Sequence, residues 1–183
     1  MTTRHTVADL TVRLTETACV SAPFKLSDGT HLSTYFDEFR LASDPALLHD
    51  TARALADLVP TNAQALAGIE LGGIPLVVAL SAATGLPAVF VRRLPKLYGS
   101  HRQIEGADIT GLRTVLVDDV VRSGSQLLTM ARTLRMTGSP ITDAVCILER
   151  PLGGRQTLAE HRVTLHSLLT EADLPVRQAG DAA

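Results

Sequence analysis

The chain has 183 residues, 45% of them hydrophobic and 20% charged, with a formal net charge of −2. That length suits one domain with a full core, and the slightly acidic balance excludes a basic field that would hold nucleic acid nonspecifically. Aromatic residues make up 3% with no Trp, which leaves no platform for stacking single strands, and Cys19 and Cys146 form no metal-ligand spacing and point to a reducing compartment.

The first residues, "MTTRHTVADL", lack the apolar core of a signal peptide, and no apolar run reaches membrane-spanning length. A cytoplasmic protein is expected. Val7 to Cys19 read as a helix. In "PFKLSDGTHLSTYFDEF" the pair Asp28-Gly29 separates two short strand-like runs, which predicts a hairpin. "SDPALLHDTARALADLV" is a helix capped by Ser43 or Asp44, with Pro45 in its first turn and Leu47, Leu48, Ala52, Leu55 and Val59 at helical spacing.

From there strands and helices alternate. "ALAGIEL" reads as a buried strand and "IPLVVALSAATG" as a helix ended by Gly85. "PAVFVRR" and "TVLVDD" are strands, and "GSQLLTMARTLRMTG" is a helix ended by Gly138. "ITDAVCILER", "RQTLAEH" and "RVTLHSLL" follow as strand, short helix and strand. This pattern predicts an α/β fold, a central mostly parallel sheet flanked by helices. Such sheets bind ligands at the carboxyl ends of their strands. The long polar stretch "LPKLYGSHRQIEGADITG" is expected to be a flexible functional loop. One domain over residues 1–183 is expected, with an N-terminal helix and hood over 1–40, a core over 41–170 and a frayed tail over 171–183.

The segment "VLVDDVVRSGSQ" concentrates the chemistry. A strand ends at Val117, Asp118 and Asp119 emerge at its tip, and a Ser/Gly turn opens the next helix. Unused N–H groups and hydroxyls at such a helix start can seat a phosphate. Two carboxylates just before that seat suit the diol of a ribose, or Mg²⁺ bound to it. On these residues alone one Asp could equally cap the helix while the other is solvated. A P-loop is excluded, because no Gly-Lys-Ser/Thr ends the turn.

This segment resembles the ribose-phosphate and pyrophosphate-donor signature of the type I phosphoribosyltransferases. More specifically, the chain is similar to the orotate phosphoribosyltransferases. "FKLSDG", "GGIPL", "VRRLPKLYGSHRQIEG", "ILERPLGG" and "LHSLLT" match that family's blocks in order, over about Phe24 to Thr170. The resemblance implies transfer of ribose 5-phosphate from 5-phosphoribosyl 1-diphosphate (PRPP) to orotate, giving orotidine 5′-phosphate for pyrimidine synthesis. It also implies Mg²⁺ carried by the donor near Asp118 and Asp119 without direct protein ligands, and a homodimer sharing its lid residues.

By the same resemblance Asp118 and Asp119 hold the ribose hydroxyls, and Val120, Val121, Arg122, Ser123, Gly124, Ser125 and Gln126 wrap the 5-phosphate. Arg92, Arg93, Lys96 and Tyr98 form a lid over the diphosphate, with Lys96 and Arg92 in catalytic roles beside the two aspartates. The backbone from Glu70 to Gly73, including Gly72 and Gly73, makes a further diphosphate contact, unless the glycines only permit close helix–strand packing. Arg150 is the expected partner of the orotate carboxylate, with Lys25 nearby and Tyr35 and Phe36 as a wall beside the base. Two departures stand out: Arg122 replaces the family's usual Thr, and Ser27 replaces a Lys of some members. Arg122 keeps two other readings open, a phosphoribosyltransferase acting on another acidic heterocycle and a non-catalytic ligand sensor on the same fold.

Overall fold

The computed structural model describes residues 6–25, 29, 31–96 and 102–174. α1 (Val7–Ala18) is opened by Thr6, whose hydroxyl accepts the Asp9 N–H while the Asp9 carboxylate accepts the Thr6 N–H in return. It buries Leu10, Leu14 and Ala18 on one face. β1 (Cys19–Lys25) and β2 (His31–Phe36) pair antiparallel, from Cys19 opposite Phe36 to Lys25 opposite His31, as the hairpin reading expects. Asp28, at the expected turn, lies outside the described residues.

A short α2 (Glu38–Ser43) follows, which the sequence reading did not contain. Its six residues are too few to show a 3.6-residue period, and Asp37 starts it by accepting the N–H groups of Phe39 and Arg40 at 3.0 and 3.1 Å. Ser43 therefore ends one helix, and Asp44 alone caps the next. In α3 (Pro45–Ala56) the Asp44 carboxylate receives Ala46 and Leu47 N–H at 3.0 Å each.

The remaining elements are β3 (Ala65–Ile69), α4 (Gly73–Thr84), β4 (Ala88–Val91), β5 (Ile104–Gly106), β6 (Thr114–Val121), α5 (Ser125–Arg135), β7 (Asp143–Glu149), α6 (Gly154–Glu160) and β8 (Thr164–Thr170). The main sheet has the order β5-β4-β3-β6-β7-β8, and only the β4–β5 pair is antiparallel. Neighbouring residues of one strand face opposite cores. Val115 and Val117 join Leu14, Leu47 and Leu80 on one side, while Leu116 joins Met130, Leu134 and Leu158 on the other. That double burial is the reason these strands read as unbroken apolar runs.

Two boundaries differ from expectation. β6 does not end at Val117 but runs on to Val121, so Asp118 and Asp119 lie within the strand rather than beyond its tip and the loop begins at Arg122. The polar stretch after β4 also holds β5, an edge strand whose pairing begins where Gln103 O accepts Arg92 N–H at 2.8 Å. Three residues with Glu at the centre carry no strand signal of their own. Residues 97–101, including Tyr98 and His101, and the tail from residue 175 lie outside the described residues.

The chain leaves β3 for β4 on one side of the sheet, while β6, β7 and β8 extend the other side. The crevice between the ends of β3 and β6 is thus the topological switch point, where α/β sheets open a ligand site. Gly68 lets α4 start close to β3 there. A Cβ on Gly68 would sit 2.6 Å from the Gly73 carbonyl oxygen and 2.7 Å from Val77 Cγ1.

Candidate active site

A cleft of about 540 Å³ lies at this switch point, walled by Tyr35, Glu38, Gly72, Asp118, Asp119 and the segment from Val120 to Leu127. Asp118 is 4% exposed and faces Cys146 across the β6–β7 register. Burial, then the charge of Asp119, pushes the Asp118 carboxyl well above the ordinary carboxylate range. Glu38, from the unforeseen α2, is raised as well, by burial first and by Asp119 second. Three acidic side chains thus converge where no cation among the described residues is paired to them. Such a site favours a ligand that brings hydroxyl hydrogens or positive charge.

Opposite them stands Gly72. A Cβ there would lie 3.0 Å from Glu38 Oε1 and 3.2 Å from Asp119 Oδ1, so the bare glycine keeps the acidic end of the cleft open. The two glycines divide the roles proposed for them. Gly73 is buried and packs, since a Cβ on it would meet the Val117 carbonyl oxygen at 3.1 Å, whereas Gly72 borders the cleft. The Glu70 N–H, expected to face an anion, instead donates to Val91 O at 2.9 Å, a consequence of β3 and β4 being parallel neighbours.

At the other end, Gly124 takes φ +76° and opens α5 with no side-chain cap on the helix. Ser123 Oγ and Ser125 Oγ are 3.1 Å apart, and both side chains are exposed to the cleft. Uncapped N–H groups and two hydroxyls on one turn are an anion seat. Val120 and Val121 border it by position, but Val121 is a core side chain and Val120 is half-buried. Gln126 is exposed on the first turn of α5.

The expected lid cations divide. Arg93 borders the cleft and is exposed; its N–H donates to Glu70 Oε1 at 2.8 Å. Arg92 stands 3.7 Å from Glu70 and 3.8 Å from Glu105, and Lys96 is ion-paired to the same Glu105. That hydrogen bond and charge hold the Glu105 carboxyl below its ordinary range. Sequence reasoning missed Glu105, and only the pairing of β5 with β4 carries it to these cations. A second hollow of about 260 Å³ adjoins the cleft, with Arg92, Arg93, Ser125 and Gln126 in its walls.

On the hood side, Tyr35 and Phe36 point to opposite faces of β2. Tyr35 borders the cleft, packs on Phe24 with ring centroids 5.3 Å apart and reaches Glu38 at 3.5 Å. Phe36 is 2% exposed in the core among Leu14, Leu41 and Leu47, so it forms no cleft wall. The side chain of Lys25 lies outside the described residues. Arg150 is 4% exposed and is bound by Glu171 and Thr34; it does not border the cleft, whereas Arg122 does.

An acidic pair near the carboxyl end of a central strand, a bare glycine opposite it and a glycine-opened helix start at the switch point are the anatomy of a phosphoribosyltransferase. Residues 40–163 match the family model described as "Phosphoribosyl transferase domain". An orotate phosphoribosyltransferase of a Nocardioides species is 35% identical over 162 residues, 88% of this chain and 90% of that protein. One of Methanopyrus kandleri is 38% identical over 151 residues, 82% of this chain and 81% of that protein. The chain belongs to the orotate phosphoribosyltransferase family. Among solved structures, the orotate phosphoribosyltransferase of Aeropyrum pernix superposes with a TM-score of 0.80 at 29% identity, over 89% of this chain and 94% of that one. That of Mycobacterium tuberculosis, solved with PRPP, has the same fold with a TM-score of 0.77 at 23% identity, over 91% of this chain and 97% of that one.

Proposed function

We propose that the protein is an orotate phosphoribosyltransferase, which transfers ribose 5-phosphate from PRPP to orotate and releases diphosphate in pyrimidine synthesis. The observation that carries this reading is the Asp118–Asp119 pair in the last half of β6, facing Gly72 across the cleft and followed by the uncapped start of α5. In the reaction the bond from C1 of the sugar to the diphosphate oxygen breaks, and a bond from C1 to the ring nitrogen forms. Positive charge gathers on the ribose and negative charge on the leaving group.

Each group of residues answers one of these charges. Asp118 and Asp119 accept the ribose hydroxyl hydrogens and hold negative charge beside the ring as it becomes cationic. Ser123, Ser125 and the N–H groups of the α5 start fix the 5-phosphate, which positions C1 for displacement. Arg92, Arg93 and Lys96 draw off the diphosphate, and their approach excludes water that would hydrolyse the donor. Mg²⁺ fits the acidic end of the cleft. By the family resemblance the ion is carried by the donor, and Asp118 and Asp119 would face it. Bound in that way, Mg²⁺ supplies charge neutralisation on the diphosphate.

The family resemblance extends the reading to a cytoplasmic homodimer in which lid cations serve the neighbouring site. Leu71 and Leu94, 65% and 76% exposed beside Glu70 and Arg93, supply apolar surface at that rim. No helix of the described residues is long and apolar enough to cross a membrane. The experiment is steady-state turnover of orotate with PRPP and Mg²⁺, followed by the loss of orotate absorbance. Turnover supports the reading. Donor binding with no consumption of orotate or of any other heteroaromatic acid would leave a ligand sensor in its place.

A further inference from the structure

Arg150, at the end of β7, carries a charge that the fold has already answered. Its Nη1 donates to both Glu171 carboxylate oxygens at 2.5 and 2.8 Å and to Thr34 Oγ1 at 3.1 Å. Its Nη2 donates to the Thr34 carbonyl oxygen at 3.1 Å, and its Nε is enclosed without a partner. A cation buried this deeply needs a carboxylate, and in the empty protein Glu171 supplies it. The neighbours of the pair reach the cleft. Tyr35, next to Thr34, and Leu152, whose N–H donates to Arg150 O at 2.8 Å, both stand in its wall.

The two partners are held unequally. The Arg150 side chain is 4% exposed and is gripped from β2 by both oxygens of Thr34, whereas the Glu171 side chain is 40% exposed. Glu171 begins a turn of three residues after β8 that is fastened by other groups, since Asp173 accepts the Thr170 N–H and hydroxyl at 2.7 Å each. The Glu171 carboxylate can therefore swing into water without undoing its turn. The guanidinium cannot follow it, and a buried cation left alone is costly, so only another carboxylate can take the place of Glu171. The contacts of Arg150 to Thr34 are to neutral oxygens and persist through such an exchange.

We propose that Glu171 is the resident counter-ion of Arg150 and that the acceptor binds by exchanging its own carboxylate for that of Glu171. This rests on the phosphoribosyl-transfer reading of the cleft, with Arg150 as the acceptor's partner. Because the empty pair is already neutral, the acceptor gains only the difference between two ion pairs. Glu171 thus acts through Arg150 to weaken the binding of acids and to ease release of a product that keeps the carboxylate. A ring without a carboxylate has nothing to exchange and is unaffected.

The test compares wild type with Glu171→Gln and Glu171→Asp, using PRPP and Mg²⁺ with orotate, nicotinate or quinolinate, KM being compared on the acid that wild type uses. Glu171→Gln strips Arg150 of its counter-ion, so Tm of the empty protein should fall, and the acid should raise Tm more than in wild type. Acceptor KM should fall about fivefold or more, with donor KM within about twofold. The kcat should not rise, because product leaves more slowly. Glu171→Asp keeps the charge and should return acceptor KM toward wild type. Inhibition by uracil, the ring of orotate without its carboxylate, should stay within about twofold in all three proteins. An unchanged or raised acceptor KM in Glu171→Gln overturns the proposal, as does an equal tightening of uracil. Hydrogen exchange on wild type decides the matter without a variant. The peptide holding Thr170–Leu174 should exchange faster with orotate and diphosphate bound, and unchanged or slower exchange overturns the proposal. Wild type that turns over orotate while Glu171→Gln keeps its KM refutes the exchange alone. Wild type that uses none of the three acids refutes the reading of the cleft and the exchange with it.

Discussion

Asp118 is held in a position that costs the empty protein stability. Its carboxyl titrates well above the ordinary range because it is buried beside Asp119. A group raised in this way binds more protons in the folded than in the unfolded chain between the ordinary value, about pH 4, and the raised one. Stability is therefore greatest below about pH 4 from this group and is lost as pH rises through the raised value. Asp118→Asn is expected to raise Tm at pH 7 by a few degrees, at about 2–4 °C per kcal/mol for a chain of this size. The gain should fade as thermal melts are repeated toward pH 4, while turnover drops by about two orders of magnitude, the size of one lost electrostatic contact. Lys96 tests the opposite charge. Lys96→Ala should slow the chemical step by about 10²-fold with acceptor KM unchanged, read from single-turnover kinetics. Equal turnover would remove Lys96 from the reaction.

At the scale of elements, glycines set how closely the site's supports approach. Gly154, at the start of α6, lies against the Arg122 carbonyl oxygen, and a Cβ on it would also stand 2.8 Å from Val121 Cγ1. It is the last residue of the block "ILERPLGG", whose Glu149 pairs with Arg155 of α6. Overpacking of such a contact costs about 1–3 kcal/mol. Gly154→Ala is expected to lower stability by that amount in urea unfolding and to raise donor KM, because the Arg122 carbonyl it displaces opens the loop after β6. Destabilisation with unaltered KM would separate the helix contact from the site. The sequence shows two adjacent glycines here but not the strand end they touch, because α6 and β6 are brought together only by the sheet. The same holds for α2. Glu38 joins the acidic end of the cleft from a helix too short to advertise itself.

Across the whole molecule, the order β5-β4-β3-β6-β7-β8 gathers residues that the chain scatters. Tyr35, Gly72, Asp119 and Arg122 reach one cleft from the hood, the β3–α4 turn, β6 and the loop beyond it. If lid cations serve a neighbouring subunit, two defective chains should rescue each other. Co-refolding Lys96→Ala with Asp119→Asn is expected to restore part of the turnover that each lacks alone, because a mixed dimer then contains one intact site. Light scattering gives the oligomer and mixing gives the shared site; a dimer that shows no rescue keeps each site within one chain.

The strand–helix alternation and the Ser/Gly helix start were legible in the linear order, because backbone period and local hydrogen bonding depend on neighbours in the chain, whereas the strand carrying the acidic pair runs four residues past its expected end. The similarity of five blocks gave the family for the same reason, since each block is one local piece of the site. Which side chains stay available was decided only by tertiary packing. Phe36 went to the core and Tyr35 to the cleft because neighbours on a strand face opposite ways. Glu70 gave its N–H to β4, and Glu105 reached the lid cations through an edge strand of three residues. The sequence shows Arg150 only as a letter after a strand, and its partner Thr34, more than a hundred residues away, comes from the folded chain alone.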